Sequence, residues 1–177
     1  MLRRLIALLI GLSACSEPLA PGQSPSSGIS FRARGIGDTL YVDQHSVGCF
    51  SISDSHLLFV GTPVGVVVLG EVISSSESAK AVRRAAVPER LLTNGELGLL
   101  DNLLRLYRRD AHQTRCWSTG EHSTRFDAAG LVEQHETDSC IEMEFIEEQN
   151  GFSMRPRTDI MSLYELTRPA FEAMPRS

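Results

Sequence analysis

One leucine-rich helix set inside a chain that otherwise favours strands is the feature that most constrains the fold. From about Asn94 to Arg109, Leu97, Leu100, Leu104 and Tyr107 recur at helical spacing, and Leu99, Leu103 and Leu106 widen the stripe. Thr93 stands at the capping position and Glu96 three residues on, the pattern of a capping box that satisfies two orphan amides. So broad an apolar face has to be covered, and a sheet is the obvious cover. Arg105, Arg108 and Arg109 crowd the last turn, where they complement the negative end of the helix dipole. A cationic docking spot is the alternative, and in either case Arg108 is expected to face water.

The flanking residues read as strands. Between Thr39 and Val72, Leu40, Val42, Phe50 and Ile52 share one parity, Leu57 to Val60 is an apolar run, and Val64 to Val72 is rich in valine. Three or four short strands fit this stretch, with Ser74 to Ser78 as a polar loop. Ala79 to Val87 reads as a short helix stopped by Pro88. After the main helix, Asp127-Ala128-Ala129-Gly130 reads as a type I turn followed by a glycine at positive φ. It would join strands of roughly Thr114 to Phe126 and Leu131 to Phe145. In the second of these, Ile141, Met143 and Phe145 alternate with Glu142 and Glu144, so one face should be buried and the other wet. A last amphipathic helix from Asp159 to Met174 is expected to be capped by Thr158 or Asp159 and broken by Pro169. The fold class is therefore α+β: an antiparallel sheet of about five or six strands with one main amphipathic helix packed on one face.

The start of the chain speaks to location. Arg3 and Arg4 precede an apolar run from Leu5 to Leu12, too short for a permanent membrane span, and Leu12-Ser13-Ala14-Cys15 follows. That ending resembles the lipobox of bacterial lipoproteins. The resemblance implies cleavage before Cys15, diacylation of its thiol and acylation of the new amine. Ser16, rather than Asp, follows the cysteine, which under the enterobacterial sorting pattern implies the outer membrane, with the domain facing the periplasm. The expected organisation is a signal peptide over 1–14, a lipidated tether rich in Ser, Pro and Gly over 15–34, and one globular domain over 35–177. Removing the signal takes away two arginines and no acid, so the formal charge of −5 becomes −7. A chain this acidic is a poor nucleic-acid binder, and the acyl chains are left to do the anchoring.

The cysteines besides Cys15 are Cys49, Cys116 and Cys140, three thiols that cannot all pair within one molecule. If the turn pairs Asp127 with Leu131, partner numbers sum to 258. Cys116 and Cys140 are then diagonal neighbours on one face, and a slip of two would set them directly opposite. Cys116–Cys140 is the expected disulfide, with Cys49–Cys116 and Cys49–Cys140 as rivals. Gly48-Cys49-Phe50, the capped leucine helix, Cys116-Trp117 and Ser139-Cys140 also resemble, in that order, small exported bacterial proteins and lipoproteins of unknown function. That group carries no activity over to this chain.

Chemistry is sparsely signposted. There is no Gly-x-Ser-x-Gly, phosphate loop or His-Glu-x-x-His, so no cofactor is expected. Cys49 with His45, His56, His112, His122 or His135 lacks the close ligand spacing of a metal site. The expected function is a non-catalytic, membrane-anchored envelope module, an inhibitor, immunity or assembly factor, that binds another envelope protein. Its candidate binding face is the wet side of the sheet carrying Cys49, Glu142 and Glu144. The alternative is a thiol- or metal-dependent envelope enzyme centred on Cys49 with His45 as its base.

Overall fold

The computed structural model describes residues 28–48, 51–76, 82–110, 121–138, 141–148 and 151–175. Eight strands and two helices follow in the order β1 (Thr39–Val47), β2 (Ser51–Thr62), β3 (Gly65–Ser76), β4 (Val82–Leu91), α1 (Asn94–Asp110), β5 (Glu121–Ala128), β6 (Leu131–Asp138), β7 (Met143–Glu148), β8 (Gly151–Pro156) and α2 (Leu163–Ala173). Six strands form one antiparallel sheet in the order β4-β3-β2-β1-β5-β6, and β7 and β8 form a separate two-stranded sheet. The meander β1 to β4 grows the sheet in one direction. The chain then passes through α1 and returns to the far side of β1.

Register sorts the side chains onto two faces, because neighbours directly opposite each other point the same way. On the inner face Leu40 lies opposite Phe59, Val42 opposite Leu57 and Phe126, and Phe59 opposite Val68. These residues are buried in one core with Leu97, Leu100, Leu103, Leu104, Leu106 and Tyr107 of α1 and with Leu163, Leu166 and Ala170 of α2. Phe31 sits at its centre, edge-on to Phe59 at 4.8 Å and to Phe126 at 6.2 Å. The last helix read from the sequence is present as α2, which packs against β4 and β3.

The cap of α1 is the box read from the sequence. Glu96 accepts from the Thr93 amide at 2.8 Å, and the Thr93 hydroxyl accepts from the Glu96 amide at 3.2 Å. Elsewhere the structure corrects the reading. Residues 82–87 form part of edge strand β4 rather than a helix. Their exposure alternates with period two, and Pro88 falls at a register shift, where a missing N–H costs little. Ser74 to Ser76 extend β3 instead of opening a loop. The parity shared by Leu40, Val42 and Ile52 is broken, since β2 buries Leu57 and Phe59 and leaves Ile52 exposed. The β5–β6 turn has two residues, Ala129 (φ 52°) and Gly130 (φ 90°), and pairs Ala128 with Leu131. Partner numbers therefore sum to 259, one more than expected, which removes the register argument for Cys116 and Cys140. The strand expected over Leu131 to Phe145 ends at Asp138, and Met143–Glu148 pairs with Gly151–Pro156 instead. In α2 the cap is Ser162, whose hydroxyl accepts from the Glu165 amide at 3.2 Å, and the helix continues through the solvent-exposed Pro169.

The folded part also begins before Gly35. Ile29 and Phe31, assigned by composition to the tether, are 2% and 0% exposed. The Phe31 amide donates to Asp101 Oδ1 at 2.6 Å and the Ile29 amide to Glu133 Oε1 at 3.1 Å. Arg108 closes the clasp by donating from Nε to Glu133 Oε2 at 2.6 Å and from its terminal nitrogen to the Ile29 carbonyl at 2.9 Å.

Candidate functional site

The inner sheet face changes character along the strands. At one end lie Leu40, Val42, Leu57, Phe59, Val68 and Phe126. One step on, Gln44 is flanked by Ser55 and Thr124, and His135 stands opposite Thr124. The next row is polar across all six strands: Arg83, Ser74, Ser53, Ser46, His122 and Thr137. All six are half-buried, so the inner face passes from an apolar core to a polar, partly open region.

A cleft of about 690 Å³ opens over that row, within the size range of small-molecule sites. The sheet contributes Gln44, Ser46, Ser53, Ser55, Ser74 and His122. The opposite wall carries Tyr164, Glu165, Thr167, Arg168 and Phe171 of α2, and Glu142, Met143, Pro156, Arg157, Ile160 and Ser162 complete the lining. Tyr164 and Phe171 stack with centroids 6.3 Å apart. Tyr107 donates its hydroxyl to Glu142 Oε1 at 3.0 Å. Burial pushes both groups up, Tyr107 well above the usual phenol range, so each favours its protonated form. His122 Nε2 lies 2.6 Å from the Gln44 side-chain nitrogen. Burial, with His45 nearby, lowers the pKa of His122, and burial likewise lowers that of His135. Both imidazoles are neutral near pH 7. Four buried polar atoms lack a hydrogen-bond partner among the described residues: His122 Nδ1, Thr124 Oγ1, His135 Nε2 and Thr137 Oγ1. They form two directly opposed pairs, His122 with Thr137 and Thr124 with His135.

The outer face of the same sheet is a second surface. Its centre is apolar, with Leu58 opposite Leu69 and Val60 opposite Val67, all half-buried, and with Tyr41 and Ile52 exposed. Polar pairs lie on the same face. His45 Nδ1 lies 2.6 Å from Asp54, His56 Nδ1 lies 2.8 Å from Asp43, and Arg125 lies 3.0 Å from Asp127.

The residues singled out from the sequence are dispersed. Cys15, Cys49, Cys116, Cys140 and His112 lie outside the described residues. Glu142 and Glu144 do not form one wet row. Glu142 precedes β7 and turns inward to Tyr107, whereas Glu144 is exposed and paired with Arg155 at 2.9 Å. Of the histidines, His45 and His56 stand on the outer face, while His122 and His135 stand on the inner one. Among the described residues no group of three or more His, Cys, Asp or Glu is placed to hold a metal ion, and no helix is long and apolar enough to cross a membrane. The polar row escaped sequence reasoning because it exists only across six strands in register. The one local trace is the serine at alternate positions 51, 53 and 55. Comparison with protein-family models, with curated proteins and with solved structures finds no match for this chain.

Proposed function

We propose that this chain is a cell-envelope lipoprotein, held through Cys15 at the outer membrane and facing the periplasm, that works by binding another envelope protein. It would serve as an inhibitor, immunity or assembly factor and carry out no chemistry of its own. In this reading α1 is the main helix, laid across the inner face of the sheet, and the outer face is left for the partner. The observation that supports it is the composition of that outer face: apolar pairs at the centre and hydrogen-bonded polar pairs beside them, the layout of a protein interface with a dry core and polar rim. The Glu142 and Glu144 row is set aside as the binding face, because Glu142 turns inward.

Two experiments test the parts separately. Metabolic labelling with a palmitate analogue is expected to tag the wild type and not Cys15→Ala; equal labelling of both would remove the anchor. In a tagged pull-down from membranes, Leu58→Asp and the pair Asp43→Lys with Asp54→Lys are expected to lose the captured protein while the thermal melt stays cooperative. Cys49→Ser is expected to keep it. Loss of function in the Cys49 variant alone, with folding intact, would favour the thiol enzyme.

A further inference from the structure

We propose that the inner cleft binds an uncharged sugar unit, so that the protein also carries a glycan-binding site on the side of the sheet opposite its protein-binding face. A pyranose ring presents hydroxyls around its edge and a patch of C–H groups on its face, so its receptor needs hydrogen-bonding groups on one wall and an aromatic surface on the other. The cleft is built this way. Its sheet wall carries the hydroxyls of Ser46, Ser53, Ser55 and Ser74 beside Gln44 and His122, and its helix wall carries the stacked Tyr164 and Phe171.

The charges argue against an ion as the ligand. The cationic side chains are taken up within the protein, Arg157 by Asp159 at 2.8 Å and Arg168 by Glu172 at 3.8 Å, and the carboxyls of Glu142 and Glu165 at the same cleft disfavour an anion; among the described residues no group of three acids or imidazoles stands ready for a metal ion. The uncharged groups are the ones left wanting. His122, which lines the cleft, has Nδ1 unpartnered, beside the hydroxyls of Ser46 and Ser53. A buried polar atom without a partner is destabilising, and a ligand that meets it recovers that loss. Hydroxyls both donate and accept, so a sugar can serve the imidazole and the serine hydroxyls alike in a way that a simple anion or cation cannot.

The test is calorimetric titration of the full chain with four probes: N-acetylglucosamine, its β-1,4-linked disaccharide, galactose and maltose. At least one is expected to bind saturably, at millimolar strength or better. Tyr164→Ala, an exposed position, and Ser53→Leu, which fills the cleft, are each expected to weaken that probe by about tenfold or more. If the leucine variant fails to melt cooperatively, Tyr164→Ala decides alone. Silence from all four probes with folded protein would overturn the proposal, as would unchanged affinity in the variants. Tyr164→Ala is expected to keep capture of the envelope protein, and the outer-face variants to keep sugar binding, so each reading can fail without the other.

Discussion

The two ends of the inner sheet face are built on the same six strands, yet they do opposite work. At the Leu40–Phe59 end each row delivers apolar side chains to Phe31 and to the leucines of α1, and nothing polar is left unmet. At the Ser46–Ser53 end the strands keep the same geometry, but the side chains are hydroxyls, an amide and imidazoles, and all four unpartnered buried atoms among the described residues gather there. Strand pairing is indifferent to which side chains it presents. A sheet can therefore carry an apolar core at one end and a polar cleft at the other without a change of fold.

The comparison is broken most severely at the apolar end. Phe59→Ala and Leu100→Ala, both fully buried, are expected to cost about 3–5 and 2–5 kcal/mol in denaturant melts. Values near zero would mean that the core does not lie there. Arg108→Ala ranks next. Arg108 is exposed, as expected, yet it joins Ile29 to Glu133, so about 1–2 kcal/mol should be lost, less than for a fully buried ion pair because part of the guanidinium faces water. Thr93→Ala should cost about 1 kcal/mol through the capping box.

At the polar end the expected effects are smallest and can change sign. Ser53→Ala should lie within about 0.5 kcal/mol of wild type. Thr124→Val, which removes an unpartnered buried hydroxyl at constant shape, should be neutral or stabilising. The pH dependence of stability sharpens the contrast. Burial lowers the pKa values of His122 and His135 in the fold, so the unfolded chain takes up more protons below its own imidazole pKa of about 6.5, and stability should fall as pH drops below that point. Glu142, raised by burial, acts in the opposite sense, its contribution weakening as pH rises above the ordinary carboxyl range. Chemical melts of wild type and His122→Asn across this window check the sign; the variant should show a shallower loss between pH 6.5 and more acidic values.

What the sequence revealed was local. The Thr93–Glu96 cap and the leucine stripe of α1 depend on neighbours three and four residues apart, and both are present in the structure. Features that need a partner far along the chain were hidden. Val82 to Val87 read equally well as one helical turn or as alternating strand residues, and the neighbouring β3 decided in favour of the strand. Ala129 carried no sign of the positive φ that it adopts, so the β5–β6 register was misread by one residue. Ile29 and Phe31 were lost in a run of Ser, Pro and Gly, because their anchors, Asp101, Arg108 and Glu133, lie 70 or more residues away. Glu142 looked wet by alternation and was turned inward by a tyrosine 35 residues earlier.

The clasp at Ile29 has a mechanical meaning. A pull on the residues before Gly28 reaches the fold where the Ile29 carbonyl is held by Arg108, its amide by Glu133 and the Phe31 amide by Asp101. Those three side chains belong to α1 and β6, so the load divides between a helix and an edge strand instead of unzipping one of them from its end. Just behind them the Phe31 ring is wedged between Phe59 and Phe126, a plug that has to be drawn through the core before the chain can slip. A domain moored by its N-terminus would thus take tension at a buried aromatic cluster of its core, and the polar cleft, at the other end of the strands, would be spared the strain.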